Sequence, residues 1–374
     1  MLTTDQQYIL NLLHESLKAT QHDKTSCIND EEVASIISRN GILLTAYHNL
    51  SADLQMQLAG TYYAAVKQAF VQEHQGELIL KALSDAGFNC IALKGWELRK
   101  LYPEPTMRQM ADLDILVRPY EYGRIKAVMK QLDYTSETES SWKHDNFKKN
   151  EVTVEMHKRL TDDSGVIQAW EKGIWDRASR VEGNVFRMSA EDYYIYHFVH
   201  LYKDFVNGSL GLRRIVDTWL LQKQPVDMTR VQTTLEPFGM WQFHERMVKL
   251  SRATMGEEPV DEGSELLLKH AFAHGIYGSD KSYKAGRIAA MGRNLKRGKL
   301  QSKLAAVFLP YARMKAQFPV LERFPILLPY CWSKRILRFL KGNMKKNRKM
   351  LDYSDVSESD YEDMKRFFAA GGIV

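Results

Sequence analysis

Apolar side chains recur at helical spacing through the first 85 residues. Ile9, Leu12, Leu13 and Leu17 form one face, and Val33, Ile36 and Ile37 follow the acidic start Asn29-Asp30-Glu31-Glu32. Tyr62 to Leu83 is long enough for a single helix, and Asp85-Ala86-Gly87 supplies its stop, with Gly87 at the C-cap. From Phe88 the rhythm shortens. Asn89 to Leu93 and Asp112 to Val117 read as strands with a helical turn from Trp96 to Leu101 between them. A helix then starts near Pro119 and runs through Ile125, Val128, Met129 and Leu132, and further strands follow at Tyr134 to Thr138 and Val152 to His157. Beyond about Asp162 helical spacing returns, including an apolar helix from Glu191 to about Phe205 with Ser189 as its cap. The pattern predicts an α+β fold in which a small mixed-sheet core is flanked by helical regions on both sides. The expected divisions are 1–85 helical, 86–185 α/β core, 186–350 helical with a basic segment, and 351–374 an acidic, then apolar, partly ordered tail.

Composition narrows the class. With 374 residues and 44% hydrophobic content the chain can bury a substantial core. No run of about 18 apolar residues is free of charge, so no transmembrane helix is expected. The N-terminus reads as an amphipathic helix and not a signal peptide. Three scattered cysteines, Cys27, Cys90 and Cys331, suggest neither a disulfide framework nor a thiolate zinc site, which fits a reducing cytoplasm.

Strand alternation carries the chemistry. In Asp112 to Val117, Leu113, Ile115 and Val117 point one way and Asp112 and Asp114 the other, so two carboxylates converge on one cation site. In Val152 to His157 the same alternation sets Glu155 and His157 on the face opposite Val152, Val154 and Met156, making Glu155 the third carboxylate, as metal ligand or base. Hard oxygen donors in this number suit Mg²⁺, two ions in a two-metal displacement, with Mn²⁺ as an alternative. Lys94-Gly95 follows the first strand, where a glycine lets backbone approach a phosphate, and Arg108 offers a guanidinium for a triphosphate. Neither a P-loop nor a dinucleotide fingerprint is present. The pairs His197/His200 and His270/His274 share helix faces but lack a patterned third ligand, so they read as core or hydrogen-bonded histidines rather than as zinc ligands.

The composite of strand-Lys94-Gly95, Tyr102-Pro103, Arg108 and the D-L-D-I-L-V strand resembles the uncharacterised bacterial nucleotidyltransferase family within the polymerase-β-like superfamily. The likeness is strongest from Ile91 to Val117 and continues through the E-M-H strand. It implies Mg²⁺ held by Asp112 and Asp114, transfer of NMP from an NTP, and a cleft that includes His200, Lys203 and Asp217. The segment Leu201 to Leu221 also sets Arg213 and Arg214 on or near helices that would face the sheet's open side, as cations for the nucleotide phosphates, and ATP is the first choice of NTP. The superfamily usually has Gly-Gly or Gly-Ser shortly before the paired carboxylates, where this chain has Lys94-Gly95-Trp96. The acceptor is not specified by the sequence.

Charge adds a second theme. From Asp280 to Met350 there are 11 Lys and 8 Arg against one Asp and one Glu, although the whole chain carries only +6. The segment 281–349 interleaves these cations with apolar residues, as in Ile336, Leu337, Phe339 and Leu340, which suits core packing, a peripheral membrane contact or an RNA contact. The alternative to an enzyme is therefore a non-catalytic NTP-binding or membrane/RNA-docking module, with Lys345, Lys346 and Lys349 as its test residues.

Overall fold

The computed structural model describes the chain apart from residues 19–27, 119–121, 138–142, 162–165, 293, 342–351 and 374. Pro119, Cys27 and the basic residues Lys345, Lys346 and Lys349 lie outside the described residues. The chain divides into two compact units. The first comprises Met1–Tyr202, Leu210–Tyr277 and Ala370–Ile373, and the second Lys203–Ser209 and Gly278–Ala369.

The first unit is α+β. Its sheet has seven strands: β1 (Cys90–Ala92), β2 (Leu113–Val117), β3 (Thr135–Ser136), β4 (His144–Lys149), β5 (Val152–His157), β6 (Ser179–Glu182) and β7 (Val185–Arg187), in the order β3-β4-β5-β2-β1-β7-β6. Strand β2 is central, antiparallel to β1 and parallel to β5. Leu113, Ile115 and Val117 pack with Val152, Val154 and Met156 in one buried cluster, closed from that side by Ile79 and Leu83 of the long helix Ala52–Asp85. The alternation read from the sequence thus fixes which face is core and which is open. Beyond the long helix, Gly87 takes φ +81°, and the amides of Gly87 and Phe88 close on the carbonyls of Ser84 and Leu83. The apolar helix spans Ala190–Val206, and the Ser189 hydroxyl accepts the Asp192 amide at 3.1 Å, the capping bond expected of it.

Two parts of the sheet had no counterpart in the sequence pattern. Strand β4, HDNFKK, carries one large apolar residue, Phe147, and β6 is exposed throughout. The β6–β7 hairpin returns the chain to pair β7 in parallel with β1, extending the sheet after a helical interval.

The second unit is helical among its described residues. The C-terminal stretch, expected to be partly ordered, is instead a helix, Glu358–Ala370. Ser357 and Asp360 cap its start reciprocally, and Tyr361, Met364, Phe367 and Phe368 are buried, with Phe367 stacked on Phe205 at 4.1 Å. An apolar residue every three or four positions behind an acidic first turn is sufficient to explain it.

Candidate functional site

The open face of the sheet gathers its charges by register. Asp114 on β2 lies beside Glu155 on β5, which lies beside Asn146 on β4, and one step along His157 lies beside His144. Asp112 immediately precedes β2. Asp114 is almost wholly buried, and its Oδ1 accepts hydrogen bonds from Lys94 Nζ at 2.5 Å and His157 Nε2 at 2.6 Å. His157 Nε2 also stands 3.2 Å from Glu155 Oε2, and His144 Nε2 lies 3.9 Å from Glu155 Oε1.

Three carboxylates and two cations share this space, and their proton affinities diverge. Burial would raise the Asp114 pKa, but Lys94 and His157 overcome it and hold the carboxyl well below the usual range. For Asp112, burial and then the neighbouring Asp114 charge push the pKa up to about 6. The hydrogen bond from His157 lowers Glu155. Burial opposes the charge on His157, yet bonds to Asp114 and Glu155 raise its pKa, and Lys94 is raised against burial by Asp114 and Asp112. The face therefore holds one more negative charge than positive when all three carboxylates are ionised and His157 is protonated, and two more when His157 is neutral.

Lys94 is placed at a backbone cost. It adopts φ +41°, ψ −118°, a conformation that a residue with a side chain rarely takes. Its carbonyl accepts from Tyr193 Oη at 2.6 Å and from the Glu97 and Leu98 amides, which hold the turn in place. Lys94 then lines a small cleft with Tyr193, Tyr196, His197, His200 and Arg214.

Several residues read for the nucleotide have other partners. Arg108 is not directed to a triphosphate: its Nε and Nη2 reach Asp217 Oδ1 and Oδ2 at 2.7 and 2.8 Å, both residues are buried, and Tyr102 Oη donates to the same carboxylate at 2.9 Å. Asp217 is likewise a partner of Arg108 and not a cleft residue. Arg213, one helical turn earlier, is buried, and its Nη1 donates to the Gln109 carbonyl at 2.6 Å. The next residue, Arg214, is the one that lines the cleft, because one step along a helix turns the side chain by about 100°. Gly95 is buried, and a Cβ there would lie 2.6 Å from Arg108 Nη1 and 2.8 Å from Met110, so its smallness admits this packing. The Trp96, Glu97 and Leu98 amides close on the carbonyls of Leu93 and Lys94, so these amides form no phosphate cradle. Lys203 belongs to the second unit.

A sequence model of the uncharacterised nucleotidyltransferase family matches residues 4–256. The chain belongs to this family. No curated protein matches it. Among solved structures, the solution structure of the antibiotic-resistance factor ANT(2'')-Ia is similar at 15% identity and a TM-score of 0.34, covering 45% of this chain and 92% of that one. Membership of a nucleotidyltransferase family implies a transferase that takes a nucleotide substrate.

For a nucleotidyltransferase the donor set can be tested against a divalent cation. Asp112, Asp114 and Glu155 present carboxylate oxygens on one face with an excess of negative charge, and that chemistry fits a hard cation. His144, Glu155 and His157 also offer ligand atoms within 4.8 Å of one another, and the Nδ1 atoms of both histidines are buried without a hydrogen-bond partner. Imidazole nitrogen suits Zn²⁺ better than Mg²⁺. His144 and Tyr193 escaped the sequence reading. His144 sits on the polar strand β4, and its only signal was a short alternation, His144-Asn146-Lys148, facing the Glu155 side of its neighbour.

Proposed function

We propose that this nucleotidyltransferase moves NMP, AMP in the first instance, from an NTP to a hydroxyl or phosphate acceptor on the open face of the sheet. The observation that carries this reading is the register of Asp114 beside Glu155, with Asp112 one alternation away and Lys94 paired to the group between them. Asp112, Asp114 and Glu155 would hold Mg²⁺, two ions being the expectation and Mn²⁺ the alternative. Such ions neutralise the triphosphate and polarise the α-phosphoryl oxygens.

The acceptor oxygen attacks the α-phosphorus in line, the bond to the bridging oxygen breaks, and pyrophosphate leaves. The acceptor's hydroxyl proton passes to Glu155, whose side chain is 21% exposed where that of Asp114 is 3% exposed. Lys94, with Arg214 and His200 along the same cleft, steadies the phosphates, and His157 keeps Asp114 and Glu155 oriented. Buried free thiols at Cys90 and Cys331 are compatible with the cytoplasm.

The test is melting of the full chain with ATP, GTP, CTP and UTP, with and without Mg²⁺ or Mn²⁺, followed by transfer from NTP labelled at the α- or the γ-phosphate. A metal-dependent rise of about 2.7 kcal/mol at roughly 100 times the Kd is expected for one NTP. Transfer of the α-label alone should fall at least about a hundredfold in Asp112→Asn and Glu155→Gln. Transfer of the γ-label, or binding without transfer, would overturn the nucleotidyl reading.

A further inference from the structure

The second unit presents a surface for which the family match, ending at residue 256, gives no account. Between residues 295 and 337 there are nine Lys and Arg against a single acidic residue, Glu322. The buried cluster of this stretch is small, consisting of Met314, Leu321 and Cys331, with Phe318, Leu328 and Trp332 packed on it. Large apolar side chains are turned outward instead. Ile326 is 87% exposed, Tyr330 56% and Leu337 55%, and Phe324 is about half exposed at 49%. On the helix Leu328–Lys341, Tyr330, Lys334 and Leu337 fall at i, i+4 and i+7, one face, with the Lys334 ammonium 4.9 Å from the Tyr330 ring centre. The buried Cys331 and the Arg335 guanidinium, which donates to the carbonyls of Ala306 and Val307, face the other way. The helix Leu295–Val307 repeats the design, with Leu300 and Leu304 exposed one turn apart among exposed Lys296, Arg297 and Lys303.

We propose that this face docks the protein peripherally on an anionic lipid surface, with Ile326, Tyr330, Leu337 and Phe324 entering the headgroup–acyl boundary and the cations pairing with lipid phosphates. The alternation of aliphatic tips with cations on a single helix face is what such a boundary requires, since it is apolar on one side and negatively charged on the other. A second copy of the chain is a poor occupant, because two faces of the same positive sign repel. RNA matches the charge but gives Ile326 and Leu337 nothing to stack on, whereas acyl chains remove them from water. The 14-residue helix is about 21 Å long, short of the roughly 30 Å of a hydrocarbon core, so it lies in the interface. Among the described residues no helix is long and apolar enough to cross a membrane.

The experiment is co-sedimentation of the full chain with vesicles of phosphatidylcholine alone and with about one third phosphatidylglycerol, at two salt concentrations. Binding is expected only to the anionic vesicles and should weaken with salt. The double substitution Ile326→Ser with Leu337→Ser, and separately Arg323→Gln with Lys334→Gln, should each lower partitioning roughly tenfold or more while the melting temperature stays unchanged. Partitioning that ignores lipid charge, or that neither pair of substitutions alters, overturns the proposal. So does failure to bind vesicles together with binding of single-stranded RNA that survives the Ile326/Leu337 change, which would assign the face to nucleic acid.

Discussion

Two buried ionic clusters lie within the first unit, and they are built on opposite principles. Around Asp217 the account is closed: one carboxylate receives a two-pronged Arg108 and the Tyr102 hydroxyl, and Asp217 and Arg108 are 0% and 5% exposed. Around Asp114 it is open, since three carboxylates meet two cations, one carboxyl is pushed toward neutrality, and the cluster borders a cleft. A complete pair serves the fold, and an incomplete one is a standing demand for a further cation. Charged residues close together in a motif can therefore belong to either kind, and only their partners distinguish them.

The contrast can be broken by mutation. Asp217→Ala leaves the Arg108 guanidinium buried alone and should cost about 3–5 kcal/mol in urea unfolding. Replacing both partners by apolar residues, Arg108→Met with Asp217→Leu, should cost less than either single change. A double variant as unstable as the sum of the singles would mean that Arg108 has a role beyond this pair.

The pH dependences should run in opposite directions. Asp217 is brought down to about 2, because Arg108 outweighs burial, so its contribution is complete above the ordinary carboxyl pKa of 3.8 and is lost as pH falls through 2. Asp112 is brought up to about 6, so the folded state prefers its protonated form, and stability is lost as pH rises from 3.8 through 6. In metal-free buffer at pH 7, Asp112→Asn should therefore stabilise the protein by about 2–3 kcal/mol, with most of that gain gone at pH 4. Destabilisation by this substitution at pH 7 would sink the picture of an over-charged face.

The smallest effect is expected from Tyr102→Phe, which removes one donor to Asp217 while leaving Arg108 in place. It should cost about 1.5 kcal/mol and leave NTP-dependent melting shifts unchanged. A loss of nucleotide response would mean that the closed cluster also serves the site.

Much of this was legible in the chain. Period-two alternation in β2 and β5 by itself assigns Asp112, Asp114, Glu155 and His157 to one face, because a strand with one buried face admits a single register. The partners of Arg108 were not legible, since Asp217 lies 109 residues away and long-range pairing leaves no local periodicity. Strand β4 was missed because five of its six residues are polar and it is stabilised by pairing with β5 rather than by its own apolar pattern. Arg213 and Arg214 both read as cations near the open side, and which of them lines the cleft was not legible, because one step along a helix turns the side chain by about 100° and the neighbours that fix the face are distant in sequence.

The Arg108–Asp217 bond also has a history within each molecule's synthesis. A ribosome adds roughly 5–20 residues per second, so the codons between these two residues take about 5–20 s to read. Throughout that interval the segment carrying Arg108, Asp112 and Asp114 has left the decoding centre without the carboxylate that neutralises its guanidinium. The helix Leu212–Leu221 thus arrives late, and the Arg108 guanidinium has no Asp217 carboxylate to receive it until that helix has emerged.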